Sequence, residues 1–265
     1  MPEITTKKTG DLTLYFGIEQ GTQEWLELRK GRVTCSNAQL LMSTGVKRCI
    51  AENERAADYI RPNGNSYAER GHVIEFESRE ELNEKLSLLD PPLEIQTCTF
   101  ITNSKYPIAG YSPDGLIVHK DDENWVKGGG FIPVEFKAYN DVVERTYDAN
   151  TPSNPYHIKK SEGEYIIDEY VNDEGAKVGK VYVGKHEKAC KSLDNVPLVA
   201  RCQMQMEMLM CDAKELFLVL ANPEAKEGVP KVHIHHVEKD PDMCARIVAQ
   251  LLKGQKELRN EKDNV

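Results

Sequence analysis

Ser112-Pro113-Asp114-Gly115, and then Phe131-Ile132-Pro133-Val134-Glu135-Phe136-Lys137, are the two stretches whose reading decides the fold. The second is apolar and β-branched, so it reads as a strand. Residues two apart on a strand point to the same face, so Glu135 and Lys137 project together. They stand beside Asp114 if the preceding strand pairs with theirs, which makes the setting a β-hairpin. Asp-Gly alone is ordinarily a turn, and Glu-x-Lys on a strand is ordinarily a solvated face with a weak ion pair. The combination of Pro-Asp, the spacing and charges on one face of an apolar strand points elsewhere. Two hard oxygen ligands and an ammonium on one face suit a Mg²⁺ site with a positioned water. The pattern therefore implies metal-dependent phosphodiester cleavage.

At 265 residues the chain is long enough to bury a sizeable core. A single domain over 1–265 is expected, with an insertion at 139–191 and a charged tail at 253–265 that frays. No apolar run is long enough for a membrane span. The first ten residues are polar, with Lys7 and Lys8, and lack the apolar region of a secretory signal. Seven scattered cysteines without a C-x-x-C pair read as reduced thiols. A cytoplasmic location is expected. The formal net charge of −9 argues against a protein that simply coats nucleic acid. It does not exclude a nuclease, because a metal site needs carboxylates and the bound ion inverts the local charge.

Residues 12–16 read as an edge strand or an extended arm. Thr22 caps a helix carrying Trp25, Leu28 and Arg29, and Gly31 stops it. Ser36 or Asn37 caps a second helix through Leu40, Leu41 and Met42. Residues 47–67 are polar and mixed, with a loop at 61–65. A long helix follows over 66–88, ended by Pro91-Pro92. Segments 93–101, 106–111, 115–118 and 132–136 read as consecutive antiparallel strands. Residues 165–171 and 177–183 flank Asn172-Asp173-Glu174-Gly175 as a hairpin. Residues 196–210 form a Met-rich helix, with Met204, Met208 and Met210 as core filler. Strands at 216–221 and 231–237 precede a last helix starting at Pro241. The order predicts an α/β fold with a central mixed sheet flanked by helices.

Four blocks in this order resemble the phage lambda exonuclease type, or YqaJ-like, viral recombination nucleases of the PD-(D/E)xK superfamily. The first is Glu24-Trp25-Leu26-Glu27-Leu28-Arg29-Lys30-Gly31-Arg32-Val33-Thr34-Cys35-Ser36. The resemblance implies that Arg29 and Ser36 hold a DNA 5′-phosphate. The physics agrees, because Arg grips phosphate bidentately and a Ser at a helix start adds a donor. The second is Gly71-His72-Val73-Ile74-Glu75-Phe76-Glu77-Ser78-Arg79, where Glu75 matches a metal-supporting Glu; from spacing alone, Glu75 and Arg79 read as an i,i+4 ion pair. In the third, opening block, the resemblance makes Asp114, Glu135 and the Phe136 carbonyl metal ligands. Lys137 orients or deprotonates the attacking water, and Ser112 contacts phosphate. The fourth is Ala200-Arg201-Cys202-Gln203-Met204-Gln205-Met206-Glu207-Met208, in which Gln205 matches the position linked to the active site and Gln203 is the weaker candidate.

The resemblance implies a restriction-endonuclease-like core and an Mg²⁺-dependent 5′→3′ exodeoxyribonuclease on linear double-stranded DNA. One or two Mg²⁺ ions per site are expected, with Mn²⁺ able to substitute. The same resemblance implies a homotrimer that encloses DNA ends, 3′ tails for recombination, and a single-strand annealing protein as partner. An endonuclease, or a catalytically silent DNA-end binder on the same fold, is the alternative. The main departure is the wide spacing between Lys137 and Gln205. The excess chain extends a DNA-facing loop, builds an oligomer contact, or decorates the surface. His233 and His235 share a strand face without a metal reading, and no phosphate-binding P-loop occurs.

Overall fold

The computed structural model describes residues 4–58, 66–120, 122–128, 130–138, 168–171, 177–180, 198–221 and 232–262. In chain order, β1 (Thr5–Thr9) and β2 (Leu12–Phe16) lead to α1 (Gln23–Arg29) and β3 (Val33–Thr34). A 3₁₀ turn at Cys35–Asn37 then gives α2 (Ala38–Thr44), α3 (Val46–Asp58) and α4 (Ser66–Ser87). Next come β4 (Leu93–Gln96), β5 (Phe100–Asn103), β6 (Ala109–Gly110), β7 (Gly115–His119), α5 (Trp125–Gly128) and β8 (Ile132–Ala138). The chain closes with β9 (Asp168–Val171), β10 (Lys177–Lys180), α6 (Leu198–Cys211), β11 (Glu215–Ala221), β12 (Val232–Glu238) and α7 (Pro241–Lys262).

The main sheet has the order β12-β11-β8-β7-β4. The β11–β8 pair is parallel and the others are antiparallel, so the sheet is mixed. Its strands alternate cleanly between two cores. Ile117, Val134, Phe136, Phe217, Val219 and Ile234 pack against Leu82 and Leu86 of α4. Leu116, Val118, Leu216, Leu218 and Val237 turn to the other side, against Met204, Met206, Met208 and Met210 of α6. This period of two fixes the site. Since Val134 and Phe136 of β8 face α4, Glu135 and Lys137 must face α6.

Several elements differ from the sequence reading. The strand expected over 93–101 is two strands in different sheets, because β4 joins β7 whereas β5 joins β2. Of 106–111 only Ala109–Gly110 is a strand, paired in parallel with β3. β2 is neither an edge nor an arm but the centre of a β1-β2-β5 sheet. Its partner β1, Thr-Thr-Lys-Lys-Thr, is almost wholly exposed and carries no apolar signal. The polar stretch after Lys47 contains α3, whose Val46, Cys49 and Asn53 form a buried stripe. The tail does not fray at Lys253: α7 continues to Lys262, because Gly254 lies against Val46 and Leu258 packs on the core. The expected hairpin is present as the antiparallel pair β9–β10. Its turn and the rest of 139–191 lie outside the described residues.

Candidate active site

Asp114 ends the loop entering β7, and Glu135 and Lys137 lie on β8, its antiparallel neighbour. The Phe136 N–H donates to Asp114 Oδ2 at 3.0 Å, which locks that carboxylate beside β8. Lys137 Nζ donates to Glu135 Oε1. Glu135 is only 3% exposed, so this ammonium is a needed counter-charge. On α4, Arg79 Nη2 donates to Glu75 Oε1 at 2.5 Å and to the Asp114 carbonyl at 2.6 Å. Arg79 thereby ties Glu75 to the Asp114 end of the sheet, and the i,i+4 ion pair expected from spacing is present.

From α6, Gln203 Nε2 donates to Glu135 Oε1 at 2.6 Å and to Glu207 Oε1 at 2.8 Å. Gln205 corrects the expectation, because residues two apart on a helix point to nearly opposite sides. Gln205 Nε2 donates to the Glu238 carbonyl and its Oε1 accepts from Asp240 N, so it braces the entry to α7. Gln203 is the glutamine that reaches the acids. Glu207 was missed: the i,i+4 relation to Gln203 and a carboxylate inside a Met-rich helix were the available signals. It is wholly buried, and among the described residues its Oε2 has no hydrogen-bond partner. Replacing Gln205 by leucine should lower stability by roughly 1–3 kcal/mol, measured by urea unfolding, by stranding Asp240 N–H and the Glu238 carbonyl.

Charge is concentrated here. Burial, then Glu135 and Glu75, pushes the Asp114 carboxyl well above the usual carboxylate range. Burial and then Glu135 do the same to Glu207. Burial disfavours the Lys137 ammonium, but Glu135 and Asp114 outweigh it and raise Lys137 above its ordinary value. The buried Tyr111 hydroxyl, without a hydrogen-bond partner among the described residues, faces the same field of Glu207, Glu135 and Asp114. Among the described residues no three His, Cys, Asp or Glu side chains already converge as a ready-made metal site. Glu75 and Glu135 instead engage Arg79 and Lys137.

The three expected phosphate contacts come together around two further residues. The Arg29 guanidinium stacks on Trp25 at 4.2 Å from the ring centroid. Trp25 Nε1 donates to Ser112 Oγ at 2.9 Å. Arg29 Nη2 donates to Thr34 Oγ1 at 3.4 Å, and the Thr34 and Ser36 hydroxyls lie 3.1 Å apart. Burial lowers the Arg29 pKa to about 10, and among the described residues no carboxylate pairs with it. A half-buried guanidinium with hydroxyls around it is equipped to take an anion. The Cys35 thiol, its pKa raised first by burial and then by Glu207 and Glu135 and opposed by Arg29, lies between this cluster and the acids. Elsewhere, His236 Nε2 meets Glu215 Oε2 at 2.6 Å across β11 and β12.

The molecule is thus a mixed α/β protein with an acid–lysine cluster on its central sheet and, beside it, Arg29 among the Thr34, Ser36 and Ser112 hydroxyls. The same fold occurs in the crystal structure of an alkaline exonuclease, LHK-Exo, from Laribacter hongkongensis. The two share 16% identity with a TM-score of 0.56, over 92% of this chain and 95% of that one. LHK-Exo in complex with dAMP matches with a TM-score of 0.54 and 17% identity, over the same shares. At these identities the likeness is one of fold, and it agrees with the resemblance carried by the four sequence blocks. No protein-family model and no curated protein sequence matches the chain. Among the described residues no helix is long and apolar enough to cross a membrane.

Proposed function

We propose that this protein is a Mg²⁺-dependent 5′→3′ exodeoxyribonuclease of linear double-stranded DNA, on a restriction-endonuclease-like core. The observation that carries this reading is adjacency: Asp114, Glu135 and Lys137 stand on paired strands next to the Arg29, Ser36 and Ser112 pocket. A terminal 5′-phosphate held in the pocket would bring the first phosphodiester toward the acids. The fold neighbour captured with dAMP supports the reading, since stepwise digestion releases deoxynucleoside monophosphates.

The donor set fits a hard divalent cation. Burial, then Glu135 and Glu75, raises the proton affinity of Asp114, the signature of clustered negative charge. Glu75, Asp114, Glu135 and the Phe136 carbonyl would hold Mg²⁺, or Mn²⁺ in its place, once Glu135 and Glu75 exchange part of their present ion pairs for it. Bound Mg²⁺ supplies neutralisation of the scissile phosphate and a lower pKa for a bound water. Lys137 then acts by donation: its raised pKa keeps it an ammonium that orients the water, in preference to the base role. Gln203 holds Glu135 from the α6 side. The sequence resemblance extends the proposal to a homotrimer that encloses DNA and an annealing protein that takes the 3′ tail.

The test is nucleotide release with Mg²⁺ from 5′-phosphorylated linear duplex, 5′-hydroxyl linear duplex and closed circles. Fastest release from the phosphorylated ends and none from circles is expected. Cleavage of circles would make it an endonuclease, and no cleavage of any substrate would leave a DNA-end binder.

A further inference from the structure

Arg29, Thr34 and Ser36 share a side-chain network with Asn53, a residue that no sequence motif marks. Asn53 on α3 is 6% exposed and reaches across to the β3 segment. Its Nδ2 donates to the Arg32 carbonyl at 2.8 Å, and its Oδ1 accepts from Asn37 Nδ2 at 2.9 Å. These two bonds fix which way the amide faces. Nδ2 also lies 3.3 Å from Thr34 Oγ1, which is itself buried.

A hydroxyl has two lone pairs and one proton. Arg29 Nη2 and Asn53 Nδ2 both donate to Thr34 Oγ1, at 3.4 and 3.3 Å, and use both lone pairs. The Thr34 proton then has two acceptors within reach. Asn53 Oδ1, which also accepts from Asn37, is 3.4 Å away, whereas Ser36 Oγ is nearer, at 3.1 Å, and is the better acceptor by distance. Donation to Ser36 leaves the exposed Ser36 hydroxyl with its own proton turned away from the protein. The pocket thus offers a guanidinium and an outward O–H donor, the complement of a phosphate dianion.

We infer that Asn53, acting through Thr34, is a positioning residue that orients Arg29 and Ser36 and so sets the preference for a 5′-phosphorylated DNA end. The inference rests on the proposed exonuclease reading and its phosphate pocket. Asn53 touches no substrate; its effect is on the direction of donors that do.

The experiment compares release from 5′-phosphorylated and 5′-hydroxyl linear duplex for the wild type, Asn53→Ala, Thr34→Val and Thr34→Ser, with kcat and KM separated. The phosphate-to-hydroxyl ratio should fall by about tenfold in Asn53→Ala and Thr34→Val, the size of one charge-assisted hydrogen bond. The loss should sit mainly in KM for the phosphorylated end. Thr34→Ser, which keeps the hydroxyl, should restore the ratio. A merely structural Asn53 would lower both rates together and leave the ratio standing. If the wild type discriminates and folded Asn53→Ala and Thr34→Val keep the full ratio, the inference is overturned. If Asn53→Ala fails to fold, Thr34→Val against Thr34→Ser decides. A wild type that digests both ends equally removes the phosphate pocket itself, whatever the variants do.

Discussion

Asp114→Asn is expected to abolish nucleotide release from linear duplex DNA while making the metal-free protein more heat-stable. The loss of activity follows from charge. A divalent cation contributes several kcal/mol to transition-state stabilisation. Losing about 4 kcal/mol of that corresponds to roughly a thousandfold in rate. Folding is retained because the asparagine carbonyl can still accept from the Phe136 N–H, now at 3.0 Å from Oδ2. Residual release within about tenfold of wild type would remove Asp114 from the metal site.

The gain in stability has the opposite origin. Burial, Glu135 and Glu75 raise the Asp114 pKa in the folded chain above its unfolded value. Between those two values the folded state binds more protons than the unfolded state, so stability falls as pH rises. The metal-free wild type, melted in chelator, should therefore lose stability from about pH 4 upward. The loss is complete once pH exceeds the folded pKa. Asp114→Asn should flatten that decline, and Mg²⁺ should raise the wild-type Tm more at pH 8 than at pH 5. A wild-type Tm independent of pH across this range would contradict the clustered-acid account.

The sheet acids were legible because a strand has a simple code. Once 131–137 is a strand, Glu135 and Lys137 must share a face, and the Pro-Asp-Gly turn leaves Asp114 one place to go. The helical residues were less legible. The resemblance favours Gln205 over Gln203, and only the direction of α6 against the sheet sends Gln203 to Glu135 and Gln205 to Asp240. Glu207 was hidden because buried carboxylates are rare and the residues flanking it, Met206 and Met208, read as core. Asn53 was invisible for another reason. It lies on a different element from its partner Thr34, and α3 itself is too polar to announce a helix. The exposed strand β1 failed similarly, since its pairing with β2 depends on backbone bonds and not on apolar side chains.

Lys137→Met should cost both catalysis and stability, the reverse of Asp114→Asn on the second count. Methionine keeps the length of the stem and removes the ammonium. Cleavage should fall by roughly 10²- to 10⁴-fold, the usual contribution of a group that positions or transfers the reacting proton. Glu135, 3% exposed, would keep Gln203 as its neutral donor but lose its counter-charge. Stability should drop by about 3 kcal/mol, the lower end for breaking a buried pair, because Lys137 retains 27% exposure. Mg²⁺ should return part of that stability by supplying positive charge to the same carboxylate. Lys137→Arg separates the two effects. Its guanidinium restores the charge beside Glu135 and hence the Tm, but its planar fork cannot place a donor where the ammonium stood. Release should therefore stay low in Lys137→Arg while stability recovers. Full activity in Lys137→Arg would mean that Lys137 serves only as a counter-charge, and unchanged stability in Lys137→Met would mean that the ion pair with Glu135 adds nothing to the fold.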